Sequence, residues 1–148
     1  MKSYLTIQEV AESTGLSPHT LRYYERIGLI GAVPRGPGGQ RRYVRADMEW
    51  LAFLLRLRST GMPVGRMQEF AALRREGPGT AGARRLMLEA HLDGVRESIR
   101  ALEETAAVLA LKVAHYRQME TSLSEANDQG ERDAHRAICK RPGETEGN

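Results

Sequence analysis

From Leu88 onward the apolar positions recur as Leu88, Leu92, Val95, Ile99, Leu102, Ala106, Leu109, Val113 and Tyr116, then Glu120 and Leu123. The spacings alternate four and three over more than four heptads. A strict 3.5-residue period keeps one stripe facing a partner helix, whereas a helix resting on a globular core repeats nearer 3.6. The pattern predicts a coiled-coil seam on a helix over residues 80–123, roughly 65 Å long at 1.5 Å per residue. Nothing else in the 148 residues is long enough to pair with it, so the expected partner is a second copy of the chain. Ala106, near the midpoint, allows two chains to approach closely there. The alternative is a long amphipathic helix folded against its own domain.

The remaining length suits one small domain ahead of that helix. Its charge is uneven. Residues 1–76 hold twelve Lys and Arg against seven Asp and Glu, while residues 77–148 hold ten against twelve. The N-terminal excess is almost all arginine, which suits phosphate contact and bidentate base recognition better than a lysine-rich surface. No apolar run approaches the roughly 18 residues that cross a bilayer, and the N-terminus lacks a basic segment followed by an apolar one. The expectation is a soluble, cytoplasmic, nucleoid-associated protein.

Thr6-Ile7-Gln8-Glu9 has the spacing of a capping box, so a helix should start there and end at the Gly15 turn. Ser17-Pro18 then opens a second helix, with Ser17 as N-cap and Pro18 where its missing amide costs nothing. Leu21, Tyr24 and Ile27 share the face turned toward the first helix. His19, Thr20, Arg22, Tyr23 and Arg26 take the others. Two short helices around a glycine turn read as a helix-turn-helix whose second member enters a groove of DNA.

Residues 31–45 change texture. Pro34-Arg35-Gly36-Pro37-Gly38-Gly39 forbids a helix, and Gln40-Arg41-Arg42-Tyr43-Val44 reads as a short strand after a tight turn. The expectation is a basic hairpin, or wing; the alternative is a flexible linker, although a linker seldom ends in Arg41-Arg42-Tyr43-Val44-Arg45. Beyond it, Met48, Leu51, Leu54 and Leu55 mark a third helix reaching about Thr60. Gly61-Met62-Pro63 breaks it, and Val64, Met67, Phe70 and Leu73 mark a fourth that ends near Gly77. The domain is therefore expected over residues 1–76. Residues 124–148 are polar, with Gly130, Pro142, Gly143 and Gly147, and read as a disordered tail.

These residues resemble the MerR family of bacterial transcription regulators over about residues 4–123. The shared pattern is Thr6-Ile7-Gln8-Glu9-Val10-Ala11, Gly15-Leu16-Ser17, Thr20-Leu21-Arg22-Tyr23-Tyr24-Glu25, Gly28-Leu29-Ile30 and Arg41-Arg42-Tyr43. Leu57-Arg58-Ser59-Thr60-Gly61-Met62-Pro63 is similar to the aldehyde- and stress-responsive members. The resemblance implies a mainly α fold: a winged helix-turn-helix head, a helix pair, and a long dimerisation helix forming an antiparallel coiled coil. It also implies a homodimer on a pseudo-palindrome between promoter elements, distorting an overlong spacer so that RNA polymerase can use it. Carried over by position, the DNA-binding residues are Ser17, His19, Thr20, Arg22, Tyr23, Arg26, Arg35, Arg41, Arg42 and Tyr43, with the wing arginines on phosphates. Tyr24 points inward and should pack.

Metal-sensing members place cysteines at the start and after the end of the dimerisation helix, and electrophile-sensing ones place a cysteine in the helix pair. Cys139 is the sole cysteine here and lies in neither place, so neither chemistry is expected. Beside Lys140 and Arg141 it reads either as a redox thiol or, more simply, as an exposed cysteine. His91, His115 and His135 are scattered and form no metal set. An effector pocket could be lined by Trp50, Phe53, Met62, Met67, Phe70 and Met87, although core packing accounts for the same residues. No phosphate loop, activated nucleophile or paired acidic site is present, so neither a cofactor nor an enzymatic function is expected. The competing reading is a DNA-architectural or coiled-coil adaptor protein with a winged head and no direct transcriptional role.

Overall fold

The computed structural model describes residues 3–140. Five helices follow in order: α1 (Ile7–Thr14), α2 (Pro18–Arg26), α3 (Arg45–Ser59), α4 (Val64–Glu76) and, after a 3-10 turn at Pro78–Thr80, α5 (Ala81–Cys139). Local chemistry sets most of the boundaries. The Thr6 hydroxyl accepts the Glu9 N–H at 3.2 Å while the Glu9 carboxylate accepts the Thr6 N–H at 3.3 Å, which together start α1. Gly15, at φ 75°, stops it. Asp47 reaches back to accept the Val44 N–H at 2.8 Å at the start of α3. Gly61, at φ 90°, makes the turn before α4.

The expected strand over Gln40–Val44 is reduced to two isolated antiparallel bridges, Arg35 with Arg41 and Leu5 with Tyr43. Pro34, Pro37 and three glycines leave too few pairable amides for a longer ladder. The hairpin still closes, through Gly39 N–H to Gly36 C=O at 3.0 Å and Gly36 N–H to Gln40 C=O at 2.8 Å.

One core joins the head. Val10 and Ala11 of α1, Leu21 and Tyr24 of α2, Leu51, Leu54 and Leu57 of α3 and Met67 and Phe70 of α4 are buried together with Leu29, Ile30, Val33 and Tyr43. Trp50 stacks on Phe70 with centroids 5.9 Å apart, and Phe53 tilts against both. Trp50, Met62, Met67 and Phe70 are thus core, with Phe53 and Met87 partly buried against it. The set of residues that could have lined an effector pocket is filled by its own packing.

Residues up to Arg96 form one compact unit and those from Glu97 a second. In the first, Leu88 packs on the head core, and the His91 ring Nε2 lies 2.7 Å from the Thr60 hydroxyl at the end of α3. In the second, Ile99, Leu102, Leu109, Val113 and Tyr116 are 48–69% exposed, and none of its described residues is buried. An apolar stripe of this length left in water is a large unburied surface. The helix also continues past Leu123, where the sequence predicts the start of a disordered tail. Residues 124–139 carry two i,i+4 pairs, Asp128 with Arg132 and Gln129 with Asp133, which offset part of the roughly 1 kcal/mol that Gly130 costs. Polar composition obscures this local preference. Residues 141–148 of the expected tail lie outside the described residues.

Candidate nucleic-acid interface

The second helix of the helix-turn-helix is held from both ends. At its start the Ser17 hydroxyl accepts the Thr20 N–H at 3.1 Å, and Pro18 occupies the first helical position. At its end the chain leaves through Gly28, at φ 82°, and the carbonyls beyond the last turn find side chains of the helix pair. Gln68 donates to the Ile27 C=O at 2.9 Å, Arg75 to the Gly28 C=O at 2.7 Å, and the Trp50 indole N–H to the Leu29 C=O at 2.8 Å. Leu21 and Tyr24 are buried beneath α2, and the Tyr24 hydroxyl accepts a hydrogen bond from Arg58 at 2.7 Å.

This bracing leaves His19, Arg22, Tyr23 and Arg26 exposed together on the outer side of α2. The Arg26 guanidinium lies over the Tyr23 ring, 5.5 Å from its centroid. A short helix presenting arginine donors and an aromatic hydroxyl, with its own backbone satisfied elsewhere, is suited to reading base edges in a groove.

Beside it stands the wing. The Glu25 carboxylate, near the end of α2, accepts the Val33 N–H at 3.2 Å and the Arg41 Nε–H at 2.6 Å. One acidic side chain therefore ties the recognition helix to the chain on both sides of the hairpin turn. Arg35 remains exposed and donates to the Gly39 C=O at 2.9 Å. The Arg42 guanidinium lies over the Tyr4 ring, 4.3 Å from its centroid.

Residues 6–43 match the MerR family regulatory protein pattern, and residues 48–111 match the MerR, DNA binding pattern. An uncharacterized HTH-type transcriptional regulator of Haemophilus influenzae is 33% identical over 113 residues, covering 76% of this chain and 84% of that one. The chain belongs to the MerR family. Regulator AdhR of Bacillus subtilis is 39% identical over 84 residues, 57% of this chain and 60% of AdhR, so the match spans less than two thirds of that relative. Among solved structures, a putative MerR family transcriptional regulator from Listeria monocytogenes superposes with a TM-score of 0.82 at 31% identity, over 87% of this chain and 98% of that one. HiNmlR, a MerR family regulator lacking the sensor domain and bound to promoter DNA, superposes with a TM-score of 0.73 at 31% identity, over 80% of this chain and 94% of that one.

In this MerR-family head the ten residues expected at DNA divide into groups. His19, Arg22, Tyr23, Arg26 and Arg35 are exposed. Ser17 and Thr20 are engaged in capping, their hydroxyls 2.9 Å apart. Arg41, half-buried, is committed to Glu25. Tyr43 is a correction: it is fully buried in the core and cannot reach DNA. Along an extended segment side chains alternate, so Arg41 and Tyr43 share the face toward Glu25 and the core while Arg42 lies on the other, half-buried against the Tyr4 ring.

The buried Tyr43 hydroxyl has no hydrogen-bond partner among the described residues. Burial pushes its pKa above the ordinary 10.0, with the Arg41 charge acting in the opposite direction. The neutral phenol is therefore the form the fold holds. Its contribution is complete below pH 10 and is lost as pH rises, because the unfolded chain ionises first. Tyr43→Phe is expected to raise stability at pH 7 by about 1 kcal/mol, since it removes an unsatisfied buried hydroxyl. It should also reduce the loss of stability above pH 10. Urea unfolding at both pH values checks this, and a destabilised variant at pH 7 would refute it.

Glu25, Tyr4, Arg58, Gln68 and Arg75 do not stand out in the sequence as site residues. Only Glu25 leaves a signal there, since a carboxylate in the last turn of a helix opposes the helix dipole and calls for a cation from elsewhere. At the other end of the chain Cys139 is exposed, its sulfur 3.7 Å from His135 Nε2. Among the described residues no group of three or more His, Cys, Asp or Glu is placed to hold a metal, and no helix is long and apolar enough to cross a membrane.

Proposed function

We propose that this MerR-family regulator binds a pseudo-palindromic promoter site as a homodimer and controls transcription by distorting the spacer between promoter elements for RNA polymerase. The carrying observation is the pairing of two features in one chain: a braced, arginine-bearing recognition helix and wing, and a heptad stripe left exposed along α5. The head over residues 1–76 supplies DNA contact, with Arg22 and Tyr23 at base edges and backbone and His19 and Arg26 beside them. Residues 80–123 supply dimerisation through an antiparallel coiled coil. Two heads separated by such a helix reach half-sites about two helical turns apart, roughly 68 Å, better than sites one turn apart. HiNmlR, similar over most of its length, is seen on promoter DNA, which supports the same partner here. We place the protein in the cytoplasm, at the nucleoid, and assign it no catalytic step and no cofactor.

Footprinting on the DNA flanking its own gene tests this. The expected result is two protected half-sites centred between promoter elements, with hypersensitive cleavage between them. Protection without sequence preference would instead support the architectural reading.

A further inference from the structure

The two adjacent wing arginines have opposite surroundings. Arg41 is neutralised by Glu25 at 2.6 Å. Arg42 is half-buried, yet among the described residues no carboxylate or carbonyl receives its guanidinium. A cation drawn partly out of water without a counter-ion loses solvation, and it gains most when an anion arrives from outside.

Two features hold Arg42 in that condition. The Leu5–Tyr43 bridge, closed by Leu5 N–H to Tyr43 C=O at 2.7 Å and Tyr43 N–H to Leu5 C=O at 2.9 Å, sets Tyr4 diagonally across from Arg42 on one face. The Tyr4 ring then stacks under the guanidinium. On the other strand of the hairpin, a Cβ added at Gly36 would lie 2.5 Å from Arg42 Nε and 2.8 Å from Cζ and Nη2, and these are its three nearest atoms. The φ of Gly36 is not positive, so its value here is space for the guanidinium and not turn geometry.

We infer that Arg42 is the preorganised phosphate ligand of the wing, with Tyr4 and Gly36 as its positioning residues, and that Arg41 is a strut joining the wing to α2. This rests on the DNA-binding reading above. A guanidinium fixed in one orientation loses less freedom on meeting phosphate than a free surface arginine does.

The test is the salt dependence of binding to a random-sequence DNA duplex of about 30 base pairs, long enough for both heads. The slope of log affinity against log salt changes by about 0.9 for each phosphate that the protein ceases to neutralise. Arg42→Gln is expected to reduce the slope by about 0.9 per wing, with about a tenfold loss of affinity at moderate salt. Arg41→Gln should leave the slope unchanged. Gly36→Ala and Tyr4→Leu keep every charge but should lose about threefold to tenfold in affinity, and Tyr4→Phe, which restores a ring face, should recover most of it. Thermal melts of each variant establish that the head is folded.

A reduced slope for Arg41→Gln with none for Arg42→Gln would overturn the assignment. So would wild-type affinity in both Gly36→Ala and Tyr4→Leu. A wild-type protein with no salt-dependent affinity for duplex DNA would instead remove the DNA-binding reading itself, and this inference with it.

Discussion

Replacing Ile99 and Leu102 together by aspartate is expected to dissociate the dimer and to lower affinity for a two-half-site operator by at least about a hundredfold. Burying each aliphatic side chain in a seam contributes about 1.5–3 kcal/mol, and each substitution occurs twice in a dimer. The variant also places four carboxylates where desolvation penalises charge. Ile99 is 48% and Leu102 69% exposed in the single chain, so the isolated head loses nothing by the exchange. Binding to a single half-site should survive, because only the linkage of two heads is removed, and such linkage is worth about 10²–10⁴. Sedimentation velocity and titration against one and two half-sites check both parts. A variant that sediments as a dimer would place the seam elsewhere.

Arg22→Ala is expected to weaken specific binding by about 1–3 kcal/mol for each half-site and to relax sequence preference at the base pair it contacts. Arg22 is exposed on α2, whose two ends are tied down by Ser17 and by Gln68, Arg75 and Trp50, so its removal leaves the helix in place. The dimer should be unaffected, and the salt slope should change far less than specificity does. Competition binding with operators altered one base pair at a time measures this. Wild-type affinity and discrimination in the variant would remove Arg22 from the base contacts.

Several elements are legible in the sequence because their causes are local. The box at Thr6 and Glu9 and the cap at Ser17 act over three residues, and glycines at positions 15 and 61 take the positive φ their turns need. The head helices therefore fall where the residues predict. At the end of α5 the polar texture after Leu123 reads as disorder, although Asp128 and Arg132 stand one turn apart and the helix runs on to Cys139. In the wing, period-two alternation separates Arg41 and Tyr43 from Arg42. Carrying the wing over by position as a block puts Tyr43 at DNA, whereas it lies in the core.

By itself the sequence determined which helices form, where they cap, that a heptad stripe needs a partner, and that arginine gathers in the head. Tertiary structure alone decided which of those arginines remain free. The reason is range: a cap reaches three or four residues, whereas Glu25 meets Arg41 across 16, Arg58 meets Tyr24 across 34 and Arg75 meets Gly28 across 47. Whether a guanidinium has a counter-ion depends on what the packed core carries to its side, and no local rule contains that.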